Sequence, residues 1–227
     1  MMSRFEVGKI AGIPIFLDMM FVLVLMFFTL PYLTSGTSQG VSAGVVIIVG
    51  LMASILLHEL GHAFAGRLFN ANVTHIELTG IGGLAHFERS LPPAVWPRTV
   101  IFLAGPAVNL ALWWGLGSGA EWAVDTGKQM LGLPLYNLSI ANLYLLIFNL
   151  LPAFPLDGGH TLDAWLGKPL GSIRSVKVVA TLGVIIAALL ALSAIPSVSL
   201  FQLLIAFFLF QANWEALQSA GGWGRRK

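Results

Sequence analysis

Cysteine is missing from all 227 residues, and charge is scarce: twelve Lys and Arg with ten Asp and Glu make up only 10% of the chain. Without a thiol there can be no disulfide, no thiolate metal site and no cysteine nucleophile, so a bound metal would have to be held by histidine, aspartate or glutamate. The absence says nothing of redox compartment. Soluble domains are charged at about a quarter of their positions, well above the share found here. A net charge of +2 is too small, and its basic residues too dispersed, to point to nucleic acid as a partner, and none is expected. Residues Met1 to Ala11 carry Arg4, Glu6 and Lys9 ahead of the first apolar run, with no cleavage site after it, so no removable signal peptide is expected.

Apolar residues fill the chain instead: 57% of positions, with a mean hydropathy of +0.85. Stretches near the roughly 20 residues a helix needs to cross a bilayer recur along the whole length. They fall at about 18–35, 41–69, 93–118, 137–154, 172–195 and 198–217, the fourth barely long enough. The expected fold is an α-helical membrane protein of about six transmembrane helices with short β-strands, forming a single membrane-embedded domain over 1–227. Positive charge marks the cytoplasmic side. With the N-terminus cytoplasmic, Arg4, Lys9, Arg67, Arg89, Arg98, Lys168, Arg174, Lys177, Arg225, Arg226 and Lys227 share that side and only Lys128 lies outside. Both termini are therefore expected in the cytoplasm of a cell-membrane protein. Trp113, Trp114, Trp122 and Trp223 stand near span ends, as interfacial belts do.

Two stretches read as strands. FEVGKIAGIPIFL, Phe5 to Leu17, leads to Asp18, a plausible N-cap of the first helix. NVTHIELTGIGGLAHFE, Asn72 to Glu88, has β-branched alternation around Gly80, Gly82 and Gly83, the pattern of a hairpin. Strand backbone at membrane depth needs partners, so this hairpin should border protein or a water-filled cavity.

Polar groups concentrate in two places. His58-Glu59-Leu60-Gly61-His62 lies inside the second span. Residues four apart share a helix face, so both imidazoles can reach one ion while Glu59 takes a proton from the attacking water. Each ionisable group at the bilayer centre costs about 2.5 kcal/mol or more, so an ordinary structural helix would not carry three without a partner. Two imidazoles and a carboxylate suit zinc and leave a fourth position open. The second constellation, Phe148 to His160, ends the fourth span with Pro152, Pro155, Gly158 and Gly159 around Asp157. Prolines stop the helix and glycines turn the backbone, presenting Asp157 from a broken helix end as the third ligand, unless it merely caps the next segment.

These residues resemble the site-2 protease family of intramembrane zinc metalloproteases. The likeness rests on HELGH, on the Asn-x-x-Pro-x-x-Pro-Leu-Asp-Gly-Gly run from Asn149 to Gly159, and on Ala104-Gly105-Pro106-Ala107-Val108-Asn109. It implies one zinc per chain on His58, His62 and Asp157, Glu59 as general base, and hydrolysis of peptide bonds in transmembrane segments of single-span membrane-protein substrates. It also implies that Asn149, beside the site, positions substrate or stabilises charge. Asn109, Pro155, Gly82 and Gly83 are assigned substrate-binding or supporting roles, the hairpin edge being able to pair with an unwound substrate. A PDZ-like insert and a C-terminal nucleotide-binding module, present in some relatives, are not apparent, so the switch, including any regulatory membrane partner, is not identified. His75 and His86 are expected to pack with the sheet, and His160 to be either beside Asp157 or an exposed loop residue. The competing readings are a metal-ion transporter, weakened by the lack of internal repeats, and a catalytically inactive membrane scaffold of the same fold.

Overall fold

The computed structural model describes residues 4–80, 82–88, 90–196 and 198–222; Arg89, Trp223 and Arg225 to Lys227 lie outside them. The elements run β1 (Arg4–Ile10), β2 (Ile13–Asp18), α1 (Met19–Leu33), α2 (Ser38–Leu68), β3 (Val73–Thr79), β4 (Gly82–Phe87), α3 (Val95–Asp125), α4 (Gln129–Asn149), α5 (Asp157–Leu170), α6 (Ser172–Ala194) and α7 (Leu200–Gly222). Five of these, α2, α3, α4, α6 and α7, are long and apolar enough to cross a membrane. Large apolar side chains stand exposed along them, among them Val49, Leu110, Ile147, Leu189 and Phe207, as expected where lipid rather than water is the solvent.

Each of the six expected spans holds a helix, with three differences. The first, α1, has 15 residues, short of the ~20 a perpendicular crossing needs. The fourth begins at Gln129 rather than near 137 and ends at Asn149, because Gly132 and Pro134, which look like breakers, are carried inside it. Residues 157–170, expected as connection, form the additional helix α5.

The chain divides into two compact units: Met1–Leu91 with Ala104–Leu146, and Pro92–Leu103 with Ile147–Lys227. The first contains the sheet, in the order β1-β2-β3-β4. Both hairpin pairs are antiparallel, and β2 runs parallel to β3 with Ile15 opposite Ile76 and Leu17 opposite Leu78. The two-residue turn between β1 and β2, Ala11-Gly12, has φ of 50° and 82°, the positive pair that matches strand twist in a tight hairpin. Arg67, in the last turn of α2, ties this turn down by donating to the Ala11 carbonyl at 2.7 Å. Alternate residues of β2 and β3 face one core: Ile13, Ile15, Ile76 and Leu78 pack with Phe21 and Leu25 of α1 and Leu60 and Ala63 of α2. Asp18 caps α1, accepting from the Met20 amide at 2.9 Å.

The second unit pairs α6 with α7 and adds α5. Asp163 of α5 accepts from Ser175 at 2.6 Å and faces Arg98 at 3.7 Å, while the Trp165 indole donates to Thr99 at 3.0 Å. Gly183 of α6 leaves the space that Asn213 of α7 occupies.

Candidate metal centre and active site

Thr37 starts α2 by accepting from the Gly40 amide at 3.1 Å, and the helix then runs unbroken to Leu68. His58 and His62 therefore fall one turn apart on one face, buried at 6% exposure each, with Glu59 at 5%. Their Nε2 atoms approach to 3.0 Å. Two ligands at the usual Zn–N length of about 2.0–2.1 Å on a tetrahedral ion would stand roughly 3.3 Å apart, so the pair is spaced to share one. Glu59 completes a group of three potential ligands, all within 4.8 Å.

Glycine clears the space on both sides. A Cβ on Gly105 of α3 would strike His62 Nε2 and lie 2.6 Å from His58 Nε2. One on Gly83, in edge strand β4, would collide with the Glu59 carboxylate, 2.6 Å from its Cδ. The close passage of α3 has its own requirement in Gly61, the glycine of HELGH, whose Cβ would sit 2.8 Å from the Ala104 carbonyl. Small residues at a crossing let helix backbones approach where lipid supplies no hydrophobic drive. Gly105 thus keeps a side chain away from the two Nε2 atoms, and the donor set of His58, His62 and Glu59 is one zinc takes.

The imidazole of His58 is held from behind. Its Nδ1 lies 2.5 Å from Asn109 Oδ1, and Asn109 Nδ2 donates to Asn142 Oδ1 at 2.9 Å. Asn142 in turn donates to Ser54 Oγ and to the Leu138 carbonyl, both at 2.9 Å. Asn109 and Asn142 are fully buried. Sequence reasoning singled out Asn109 but not Asn142 or Ser54; the available signal was an amide inside an apolar span, which by itself does not name its partner.

In the second unit, Asn149 is the last residue of α4, Pro155 is exposed in the connection, joined to Phe154 by a cis peptide, and Asp157 is the first residue of α5. Leu156, not Asp157, holds the N-cap position and makes no side-chain cap bond, and Asp157 is the acidic residue of the first turn. Gly158 and Gly159 are required by the fold-back of 150–153: their Cβ atoms would meet the carbonyl regions of Leu150, Leu151 and Ala153. Asn213 clamps this connection, accepting from the Phe154 amide at 3.0 Å and donating to its carbonyl at 2.6 Å. Asn213, too, escaped sequence reasoning. His160 is neither in a loop nor exposed; it sits in α5 between Phe102, stacked at 4.9 Å, and Phe154 at 5.2 Å.

A second trio, His75, Glu77 and His86, lies on the β3–β4 hairpin with potential ligand atoms within 4.8 Å. The two rings stack at 4.2 Å with planes 11° apart. Imidazole lone pairs lie in the ring plane, so no point serves both as they stand. Glu77 already faces Arg4 at 3.7 Å and His86 at 3.2 Å. Burial first, then the neighbouring His86 and Arg4, holds His75 below the usual histidine range, with Glu77 opposing.

Five helices long and apolar enough to cross a membrane, together with a buried His58-Glu59-His62 group that could hold a metal ion, define a multi-pass membrane protein with a candidate metal site. The model of peptidase family M50 matches residues 46–116 and 123–193. A zinc metalloprotease of Methanocaldococcus jannaschii is 33% identical over 203 residues, 89% of this chain and 57% of that protein. Stage IV sporulation protein FB of Bacillus subtilis is 30% identical over 149 residues, 65% of this chain and 50% of that protein. The chain therefore spans little more than half the length of these relatives. The solved structure of the site-2 protease from Methanocaldococcus jannaschii matches with a TM-score of 0.70 and 28% identity, covering 95% of each chain. The chain belongs to peptidase family M50, the site-2 protease family.

Proposed function

We propose that this protein is an intramembrane zinc metalloprotease that hydrolyses peptide bonds in transmembrane segments of single-span membrane proteins. The observation that carries the reading is the buried His58–His62 pair, 3.0 Å apart at Nε2, with a carboxylate, Glu59, on the same turn and an open strand edge, β4, passing over it at Gly83. The two compact units, which both draw on α3 and α4, form one protease domain in this reading. It sits in the cell membrane with both termini cytoplasmic.

His58 and His62 hold the ion through Nε2, and Asp157 is the third protein ligand. Bound zinc supplies Lewis acidity that polarises a carbonyl and acidifies water. Glu59 takes the proton of the attacking water and delivers it to the leaving amine, two transfers that one carboxylate can make in sequence. Asn149 positions substrate or stabilises charge. A helical substrate hides its peptide bonds, so it must unwind locally, and its released N–H and C=O groups need partners. The outer edge of β4 offers a row of them by strand addition, with Gly82 and Gly83 keeping that edge flat beside Glu59 and Pro155 shaping the connection before Asp157.

The test uses the purified full chain with a panel of single-span substrates, including versions whose Gly or Pro residues near the cut are replaced by Leu. Expected are about one zinc in both wild type and Glu59→Gln, cleavage by wild type alone, loss of at least 100-fold in Glu59→Gln, inhibition by a chelator, and slower cutting of the Leu-substituted substrates. Equal cleavage by Glu59→Gln would remove the assigned base, and metal binding without any proteolysis across the panel would favour the scaffold or transporter readings.

A further inference from the structure

We propose that Asn142 is a positioning residue that fixes, through Asn109, which ring nitrogen of His58 carries the proton. One group in the chain of contacts has a role that is not adjustable. A main-chain carbonyl only accepts, so the Leu138 carbonyl, 2.9 Å from the Asn142 amide, must face its NH2 group. That places Asn142 Oδ1 toward Asn109 at 2.9 Å, where it can only accept. Asn109 must then present its own NH2 to Asn142 and its Oδ1 to His58. At 2.5 Å from that oxygen, His58 Nδ1 must donate, which in the neutral imidazole leaves Nε2, the atom facing His62, as the unprotonated nitrogen. Ser54, a hydroxyl that can donate or accept, takes the second Asn142 proton at 2.9 Å and imposes no direction. Direction enters at Leu138 and passes through two buried amides, each with an oxygen and a nitrogen end told apart by its partners.

The arrangement matters because a histidine binds a metal only through an unprotonated nitrogen, and the opposite nitrogen's hydrogen bond decides which one that is. If Asn109 were turned over, its NH2 would face Nδ1, the proton would move to Nε2, and the metal face of His58 would be blocked. Among the described residues, Asn142 is the partner that tells the oxygen end of Asn109 from its nitrogen end. The consequence for zinc rests on the metalloprotease reading; the position of the proton does not.

Two measurements on the full chain in detergent test this. In metal-stripped protein, the 15N shifts of His58, identified by their loss in His58→Gln, should place the proton on Nδ1 in wild type and on both nitrogens in Asn142→Leu. Zinc affinity, by competition with a chelator, should fall 10- to 100-fold in Asn142→Leu, the range for losing an outer partner of a ligating histidine. The decisive comparison is Asn109→Asp, whose two carboxylate oxygens both accept, so that no orientation needs choosing. In that background Asn142→Leu should change zinc affinity less than threefold, and the His58 proton should stay on Nδ1. An equal loss of affinity in both backgrounds would reduce Asn142 to a packing residue and overturn the proposal, as would a wild-type proton on Nε2. A chain that shows the Nδ1 proton but cleaves no substrate would sink the protease reading and leave this one standing.

Discussion

At the scale of the residue, glycine defines the candidate metal centre as much as histidine does. Gly105 contributes a missing side chain: the position its Cβ would occupy is the space in front of His58 and His62 Nε2. Gly105→Ala should therefore lower zinc affinity by more than the ~100-fold cost of losing an outer partner, with helix content by circular dichroism unchanged, since alanine favours a helix over glycine. His75 carries a second residue-scale expectation. Its pKa is lowered in the fold, by burial and by the His86 and Arg4 charges against the pull of Glu77, so the unfolded chain binds its proton more readily than the folded one. Stability from this site is fully present above the unfolded value of about 6.5 and declines as pH falls from there through the lowered folded value. The thermal midpoint of the wild type in detergent should drop over that window, and His75→Phe, which keeps a ring against Phe16 and His86, should flatten the drop. The HELGH residues were legible because helical period alone puts them on one face. Asn142 and Asn213 were not: an amide in an apolar span is consistent with any interhelical hydrogen bond, and only the fold names the partner.

At the scale of the element, the strands of the first unit were readable from alternation and turn glycines, whereas the parallel pairing of β2 with β3 was not. The α5 helix was not. Its sequence, DGGHTLDAWLGKPL, mixes two aspartates, a lysine, a proline and three glycines, which reads as a connection under any criterion built on long apolar runs. It folds as a helix because its buried face, with Gly159 and Ala164, packs in its unit while Asp163 is bonded by Ser175. The start of α4 was missed for the opposite reason. Pro134 reads as a breaker, yet it lies near the helix start, and spans surrounded by protein tolerate the lost bond. Both elements meet in the connection that carries Asp157, which depends on Asn213: its amide answers the N–H and C=O of Phe154, and it is fully buried. Asn213→Leu leaves both groups without that partner, a cost of about 1–3 kcal/mol for each buried group left unpaired. Hydrogen exchange at the Phe154 amide should accelerate while exchange within α2 stays slow. A Phe154 amide as protected as in wild type would mean that the connection is held by its glycines and prolines alone.

At the scale of the whole molecule, the proposed orientation can be tested with what the chain lacks. No cysteine is present, so a single introduced thiol reports on one position with no background to subtract. With a cytoplasmic N-terminus, eleven of twelve basic residues share one side, and positive charge is retained on the cytoplasmic side during insertion. Lys128 is the exception: it follows the α3 helix, with its ammonium 4.3 Å over the Trp122 ring, a cation–π contact in which the chain holds the charge against an interfacial aromatic. Lys9, in β1, and Lys128 should accordingly lie on opposite faces of the bilayer. In intact cells a membrane-impermeant maleimide should label Lys128→Cys and spare Lys9→Cys until the membrane is permeabilised. The converse pattern would invert the protein and place the His58–His62 centre toward the outer face. Labelling of both positions in intact cells would show that one of the helices between them does not cross, and the short α1, at 15 residues, would be the first to suspect.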